Sequence, residues 1–172
     1  MKEDANAQTP YEDLGRFIVA FQHVEAALTE QIVLMAKGDD EQIRILANGL
    51  EFGKRVNAAG VMFARFSEIH SRNPTIDTLG EFRKLLEHIK TLAMRRNQIV
   101  HSRYWNWVNV DGEVGLLRQN SQLKVKTGER VIEEEGLILD SLKSTISNAQ
   151  NILIKLEHFR LSIVDDLYPD TA

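Results

Sequence analysis

The sequence predicts a mainly α-helical fold, an up-and-down bundle of four main helices with a small β-hairpin or meander at about residues 104–126 inserted before the last helix. Apolar residues recur every three or four positions in several long stretches, which is the spacing of helix faces that pack against a core. One short stretch is instead aromatic and β-branched and leads into Asp111-Gly112, a strong hairpin-turn signal. No repeat or linker divides the 172 residues, so we expect one helical domain spanning residues 1–172.

The first predicted helix has signals at both of its ends. Thr9 and Glu12 have the spacing of a capping box, and Pro10 suits the first helical position. Lys37-Gly38 is a typical C-terminal signal, because glycine readily adopts the conformation that follows a helix. The apolar stripe between these ends consists of Leu14, Phe17, Phe21, Val24, Leu28, Ile32 and Met35.

A second helical segment follows, capped by Asp39 or Asp40. We expect a break or kink at residues 48–53, because glycine disfavours a helix interior. Asn73-Pro74 stops the resumed helix, since the residue before a proline avoids the helical conformation. The apolar positions of the resumed helix are Val56, Ala59, Met62, Phe63 and Phe66.

The third main helix leads to the most informative stretch of the chain. Thr78 and Glu81 repeat the capping-box spacing, and the apolar stripe that follows consists of Phe82, Leu85, Ile89 and Leu92. The next position on this stripe is Arg96, where leucine would be the ordinary choice. Burying an unpaired guanidinium is costly, so the position of Arg96 needs a specific reason.

A β-hairpin is predicted immediately after this helix, with residues 104–110 as its first strand. A two-residue turn at Asp111-Gly112 would place Trp107 opposite Leu116 and Trp105 opposite Arg118. Residues 123–126 are expected to add a third short strand. The two tryptophans either dock the hairpin onto the helices, which is the reading we favour, or stack on nucleic-acid bases.

The last helix is predicted to begin within residues 134–137 and to end before Tyr168-Pro169. Glutamates near its start suit the positive end of the helix dipole. Its apolar stripe consists of Leu142, Ile146, Ala149, Leu153, Leu156, Phe159 and Ile163.

Composition narrows the classes of function. The chain has no cysteine, a polar start unlike a secretory signal, and no apolar run that suggests a membrane span, so a cytoplasmic protein is expected. The net charge is −4, yet residues 81–104 carry six basic residues against two acids. This strip is either a phosphate-binding surface or an ordinary solvated helix face.

The sequence contains few combinations of residues that could form a catalytic site. None of the five histidines belongs to a His-Glu-x-x-His motif, and no Gly-x-Ser-x-Gly elbow is present, so neither a metal nor a cofactor is expected. What remains is His101, five residues after Arg96. A proton-transfer group and a cation for the phosphate are the minimum for cleaving RNA through its own 2′-hydroxyl.

The motif Arg96-Asn97-Gln98-Ile99-Val100-His101 resembles the HEPN family, whose shared feature is an arginine followed after four to six residues by a histidine, often with asparagine directly after the arginine. Many HEPN toxins also carry a tyrosine two residues after the histidine. Here Arg103 has that position and Tyr104 follows it.

The resemblance implies a metal-independent endoribonuclease acting on single-stranded RNA. His101 would transfer protons, Arg96 would stabilise charge on the phosphate, and Asn97 would orient the pair. Phosphate or base contacts would come from Arg95, Ser102, Arg103 and Tyr104. The protein would be the toxin of a toxin–antitoxin or defence system, and its antitoxin would be a protein such as a nucleotidyltransferase.

The resemblance also implies a homodimer. Residues five apart on an ideal helix point roughly 140° away from each other, so Arg96 and His101 of one chain do not converge unless the helix bends or ends between them. In HEPN dimers, two such motifs line one cleft.

A structural alternative accounts for the same residues. Arg96 would be a buried arginine paired with a carboxylate such as Glu25 or Glu30, Asn97 would cap the helix end, and His101 would donate to a backbone carbonyl. The protein would then be a non-catalytic module that binds nucleotide, RNA or another protein.

Overall fold

A computed structural model describes residues 10–70, 76–108, 110, 112, 114–124, 128–137 and 139–169. The order of elements confirms a mainly helical fold with a small β insertion before the last helix. The helices are α1 (Pro10–Ala36), α2 (Asp40–Asn48), α3 (Phe52–His70), α4 (Ile76–Val100) and α5 (Leu139–Leu167), and the strands are β1 (Arg103–Val108), β2 (Val114–Lys124) and β3 (Glu129–Leu137).

The first helix is the centre of the bundle. It begins at Pro10, as predicted, whereas the predicted cap Thr9 lies outside the described residues. Its apolar stripe from Phe17 to Met35 is buried. Among the described helices, α1 alone is long and apolar enough to cross a membrane, by length and composition only, and 44% of the relevant window is buried inside the bundle.

The short helix α2 returns the chain so that α3 runs in the same direction as α1. The rings of Phe21 and Phe52 are 5.2 Å apart near the start of α3, and Lys37 Nζ lies 3.0 Å from His70 Nε2 at its end. Asp39 is the N-cap of α2, as predicted, because its side chain accepts a hydrogen bond from the backbone N–H of Gln42.

The chain next turns back, and α4 runs antiparallel to α3. Phe82 stacks on Phe63 with ring centroids 4.0 Å apart, and Leu86 lies over Gly60, so positions advance along one helix as they retreat along the other. The predicted stop at Asn73-Pro74 lies outside the described residues. The predicted capping role of Thr78 is wrong, because α4 begins two residues earlier, at Ile76.

The core contains a cluster of aromatic side chains from three helices. Phe159 of α5 packs edge-on against both Phe63 and Phe82, at 5.5 and 4.9 Å between ring centroids. Near the middle of α5, Gln31 Nε2 donates to the Leu156 carbonyl at 2.7 Å and ties that helix to α1. All four predicted stripe residues of α4 are buried. On α5, the predicted positions Leu142, Ala149, Leu156 and Ile163 are buried, as is Ile152, whereas Leu153 is only half-buried.

Three antiparallel strands form a meander in the order β1-β2-β3. The predicted register is wrong by one residue, since Trp107 pairs with Gly115 and Trp105 with Leu117. Five residues separate Val108 from its partner Val114, whereas a two-residue turn at Asp111-Gly112 would pair Val108 with Gly115. A shift of one residue exchanges the two faces of a strand, so the error also reverses which side chains face the helices.

The face of the sheet toward the helices, here called the inner face, carries Tyr104, Leu116, Arg118 and Glu135. Leu116 is fully buried in the core. Because side chains alternate along a strand, both tryptophans lie on the opposite, outer face. The preferred prediction that they dock the hairpin onto the helices is therefore wrong, and Tyr104 and Leu116 make that contact instead.

Two further boundaries differ from the prediction. Leu123 and Lys124 end the long strand β2, so they do not begin a third strand, and the predicted continuation at residues 125–126 lies outside the described residues. Residues 134–137 belong to β3, whereas the last helix begins at Leu139. The helix-like run of glutamates is held as a strand because it pairs with β2 along its whole length.

Candidate functional site

The predicted motif lies at the C-terminal end of α4. The stripe that starts at Phe82 continues through Leu92, which is 2% exposed, to Arg96, and then to Ile99, which is 1% exposed. Arg96 is half-buried and therefore stands among core side chains at the edge of the bundle, as its place on the stripe predicts.

Arg96 lies against an aromatic ring of α1 and bonds to its neighbour Asn97. Its guanidinium carbon lies 5.8 Å from the centre of the Phe21 ring, within the range of a cation–π contact. Its Nη1 donates to Oδ1 of Asn97 at 3.1 Å, while its Nε is buried without a hydrogen-bond acceptor. Over the described ranges, no carboxylate forms an ion pair with Arg96, and Glu30 is instead bonded to Arg44.

His101 follows the last residue of α4 and is exposed. Its backbone N–H donates to the Asn97 carbonyl at 3.1 Å, so the helical hydrogen-bond pattern continues one residue beyond the helix. The structure thus brings Arg96 and Asn97 together and leaves the imidazole of His101 open to solvent.

Arg95, the neighbour of Arg96, is bound to the sheet. Its two terminal nitrogens donate to both carboxylate oxygens of Glu135 in β3, each at 2.7 Å. Arg118 Nε donates to Glu135 as well, at 2.9 Å, and Arg118 itself is only 4% exposed. One carboxylate therefore joins the end of α4 to two strands.

These hydrogen bonds set the pKa values of the cluster. The bonds from Arg95 hold the pKa of the Glu135 carboxyl below its usual value, and the same bonds raise the pKa of Arg95. Burial raises the pKa of the Tyr104 phenol. Glu135 is thus ionised and Tyr104 neutral at physiological pH.

Ser102 and Tyr104 also bind the backbone at the end of α4. Ser102 Oγ donates to the Gln98 carbonyl and accepts from Arg118 Nη1 at 3.1 Å. Tyr104 Oη donates to the Ile99 carbonyl at 2.6 Å. Both side chains satisfy carbonyls that a helix end leaves without intrahelical partners, and they fix the turn that carries His101.

Arg103 differs from these neighbours because it is exposed and has no ion-pair partner in the described part of the chain. Of the four predicted site residues with basic side chains, Arg95 forms an ion pair with a carboxylate, and Arg96, His101 and Arg103 form none within the described residues. Arg95, Ser102 and Tyr104 are engaged in joining α4 to the sheet.

Sequence reasoning missed Glu135 and Arg118, which support the turn before His101. The sequence predicts Arg118 only as the cross-strand partner of Trp105, and it predicts residues 134–137, which include Glu135, only as part of a helix start. The alternation of Leu116, Arg118 and Asn120 in a strand is the one local signal, because it puts Arg118 on the same face as an apolar residue.

The site combines a half-buried cation, an amide that accepts a hydrogen bond from it, and an exposed imidazole five residues further on. This set can bind a phosphate and move a proton, but the two groups diverge within one chain, since Arg96 lies against α1 and His101 faces solvent. In the described ranges, no group of three or more His, Cys, Asp or Glu side chains is arranged to hold a metal ion.

Comparison with models of known protein families gives no match to this chain, and neither curated proteins nor solved structures yield a significant match. The resemblance of residues 96–101 to the HEPN pattern therefore stands on those residues alone.

Proposed function

We propose that this protein is a HEPN-type endoribonuclease that cleaves single-stranded RNA through the 2′-hydroxyl of its substrate, without a metal ion. The observation that carries the proposal is the contrast between two adjacent arginines. Arg95 is neutralised by Glu135, whereas Arg96 is half-buried against the Phe21 ring and forms no ion pair with a carboxylate of the described residues. A cation that gains no ion pair from the fold is available for an anionic substrate.

The roles follow from the surroundings of each group. Arg96 binds the scissile phosphate, and partial burial strengthens its attraction for the negative charge that grows in the transition state. Asn97 holds the guanidinium through the bond at 3.1 Å. His101 acts as general base toward the 2′-hydroxyl or as general acid toward the leaving 5′-oxygen. The products are a 2′,3′-cyclic phosphate and a free 5′-hydroxyl.

The divergence of Arg96 and His101 favours a homodimer in which the two motifs face each other across a two-fold axis. Each site would then combine Arg96 of one protomer with His101 of its partner. As the toxin of a toxin–antitoxin pair, the protein would be silenced by a cognate antitoxin such as a nucleotidyltransferase.

The proposal is tested by incubating the purified protein with single-stranded RNA and following cleavage on a denaturing gel. Replacing His101 by Ala should lower the rate by about 10²–10⁴, the usual effect of losing a positioned proton-transfer group. The fold should survive, because the imidazole is exposed and makes no side-chain hydrogen bond to the described residues.

His23→Ala is the matched control, since His23 is also an exposed histidine but lies on α1. This variant should cleave at the wild-type rate, chelator should have no effect, and DNA of the same sequence should remain intact. Equal rates for wild type and His101→Ala would show that the activity is a contaminant, and the proposal would fail.

A second candidate is a non-catalytic module that binds RNA, nucleotide or protein. The contact of Arg96 with Phe21 favours it, because a guanidinium stacked on a core ring also has a structural role. A filter-binding experiment followed by the same denaturing gel distinguishes the two candidates. A binding module retains RNA on the filter, and the recovered RNA is intact.

A further inference from the structure

The outer face of the sheet is unusually aromatic for a solvent-facing surface. Trp105 is 44% exposed, and Ile132 of β3 on the same face is 54% exposed. Leu117 pairs with Trp105 on one side and with Gly136 on the other, whereas Ile132 pairs with Ser121 further along the sheet. Large aromatic side chains left open in this way commonly mark a binding surface.

Trp107 is held flat on this face. A side chain at Gly115, its cross-strand partner, would place a Cβ only 2.6 Å from the indole ring, so the ring lies directly over the glycine backbone. Its Nε1 is buried without a hydrogen-bond acceptor, which a tryptophan selected only for packing usually has. The indole therefore turns one of its flat sides toward the sheet, and the residue is partly exposed.

The aromatic row leads toward the proposed site. Trp107, Trp105 and Arg103 follow one another on the outer face at intervals of about 7 Å, the repeat of two strand residues. Arg103 is exposed and unpaired within the described residues, and His101 lies two positions beyond it. A chain of nucleotides lying along β1 would reach His101 with its backbone beside Arg103.

The charges on the outer face also suit a chain of nucleotides. Its described ionised side chains are Arg103, Arg130 and Glu134, and Glu134 accepts a hydrogen bond from Gln119. Arg130 is held by Ser121 at 2.6 Å, with its guanidinium at the surface. The face thus carries a net positive charge on a chain whose net charge is −4.

We propose that the outer face of the sheet is a stacking platform for single-stranded RNA, with bases on Trp105 and Trp107 and phosphates beside Arg103, and that it guides the strand to His101. The inference rests on the proposed function for the identity of the reacting phosphate, but the binding itself does not require cleavage. Aromatic rings beside basic side chains bind single strands with little sequence preference.

The chain has two tryptophans, and both lie on this face, so intrinsic fluorescence reports directly on the platform. Wild-type protein is titrated with single-stranded 2′-O-methyl RNA, which has no free 2′-hydroxyl and cannot be cleaved by this chemistry. Stacking should quench the fluorescence, whereas duplex RNA of the same length should leave it unchanged.

Trp105→Ala should weaken binding roughly 5- to 150-fold, the loss expected for one stacked base, and Trp105→Phe should retain most of the affinity. Tyr11→Ala is the matched control, because Tyr11 is an aromatic side chain of similar exposure, 49%, on α1. Arg103→Gln should reduce the slope of log affinity against log salt by about 0.7, while Arg65→Gln on α3 should not change it.

The outcomes separate this inference from the proposed function. Quenching that Trp105→Ala weakens, in a protein that never cleaves ordinary RNA, supports the platform and refutes the nuclease. Cleavage with an undiminished rate and affinity in Trp105→Ala supports the nuclease and refutes the platform. If acrylamide quenching measured without RNA decreases as the protein concentration rises, a second copy of the chain covers the face. This result also refutes the platform.

Discussion

Adjacent arginines at the end of α4 have different partners because neighbouring side chains on a helix point about 100° apart. Arg95 projects toward the sheet and meets Glu135, while Arg96 projects toward α1 and meets Phe21. The apolar spacing of α4 predicts the direction of Arg96. No local pattern predicts Glu135, because it lies 40 residues further along the chain.

Glu135→Gln is expected to destabilise the protein by about 1–3 kcal/mol, because two guanidinium groups lose a charged acceptor and Arg118 stays buried. Urea unfolding at neutral pH measures the change. Glu134→Gln is the matched control, since the adjacent side chain is exposed and lies on the outer face, and it should change stability by less than about 0.5 kcal/mol.

The difference between wild type and Glu135→Gln should also depend on pH. The pKa of Glu135 is lower in the folded protein than the unfolded value of about 4.3, so the ionised carboxylate stabilises the fold above that value. This contribution is lost as the pH falls through the folded pKa. A difference that is constant from pH 7 down to about pH 2 would contradict the role of this carboxylate.

Helices and strands differ in how much of them the sequence predicts. A helix fixes its own buried face through its repeat, so the stripes of α1 and α4 are predicted residue by residue. The direction in which the side chains of a strand point depends on its pairing with the neighbouring strand, so a shift of one residue in the register of β1 and β2 moves both tryptophans to the other face. Glutamates 133–135 resemble a helix start, but pairing with β2 overrides that local preference.

The packing of α5 is tested by two isoleucines of one helix with opposite exposure. Ile152 is 2% exposed and Ile154 is 55% exposed. Ile152→Ala should cost about 2–5 kcal/mol of unfolding free energy through lost burial and a cavity. Ile154→Ala should stay within about 0.5 kcal/mol. Similar thermal unfolding of the two variants would place the core on a different face of α5.

At the scale of the whole molecule, the proposed site is incomplete in one chain. The end of α4 joins the bundle, through Arg96, to the sheet, through Arg95, and His101 faces outward beside this junction. A second protomer docked over this end would bring its own Arg96 toward the exposed imidazole. The proposed dimer would thus supply the second group that the proposed chemistry needs.

Mixing two inactive variants tests the shared site directly. Arg96→Ala and His101→Ala homodimers should both be inactive, whereas their heterodimer would contain one intact site formed by the unmodified Arg96 and His101. After subunit exchange, the mixture should recover roughly a quarter of the wild-type rate, since half of the dimers then carry one of two sites. Each variant incubated alone under the same conditions is the control.

No recovery in the mixture, together with a monomer in sedimentation at tens of micromolar, would contradict a site shared between protomers. Recovery above the level of either variant alone would support it, because a site contained in one chain cannot be restored by subunit exchange.

The ion pairs of Glu135 have a consequence for the way the protein opens locally. They close a loop between Arg95 and Glu135 that encloses β1 and β2, and so they act as a non-covalent staple around most of the meander. Opening this staple would release the sheet as one cooperative unit while the helices stay folded. Backbone amides in the three strands would then exchange with solvent at a common rate, faster than the amides of α1. The same opening would break the ion pair of Arg95, which lies beside Arg96. The surface at the end of α4 would therefore carry its highest positive charge in this partly opened state.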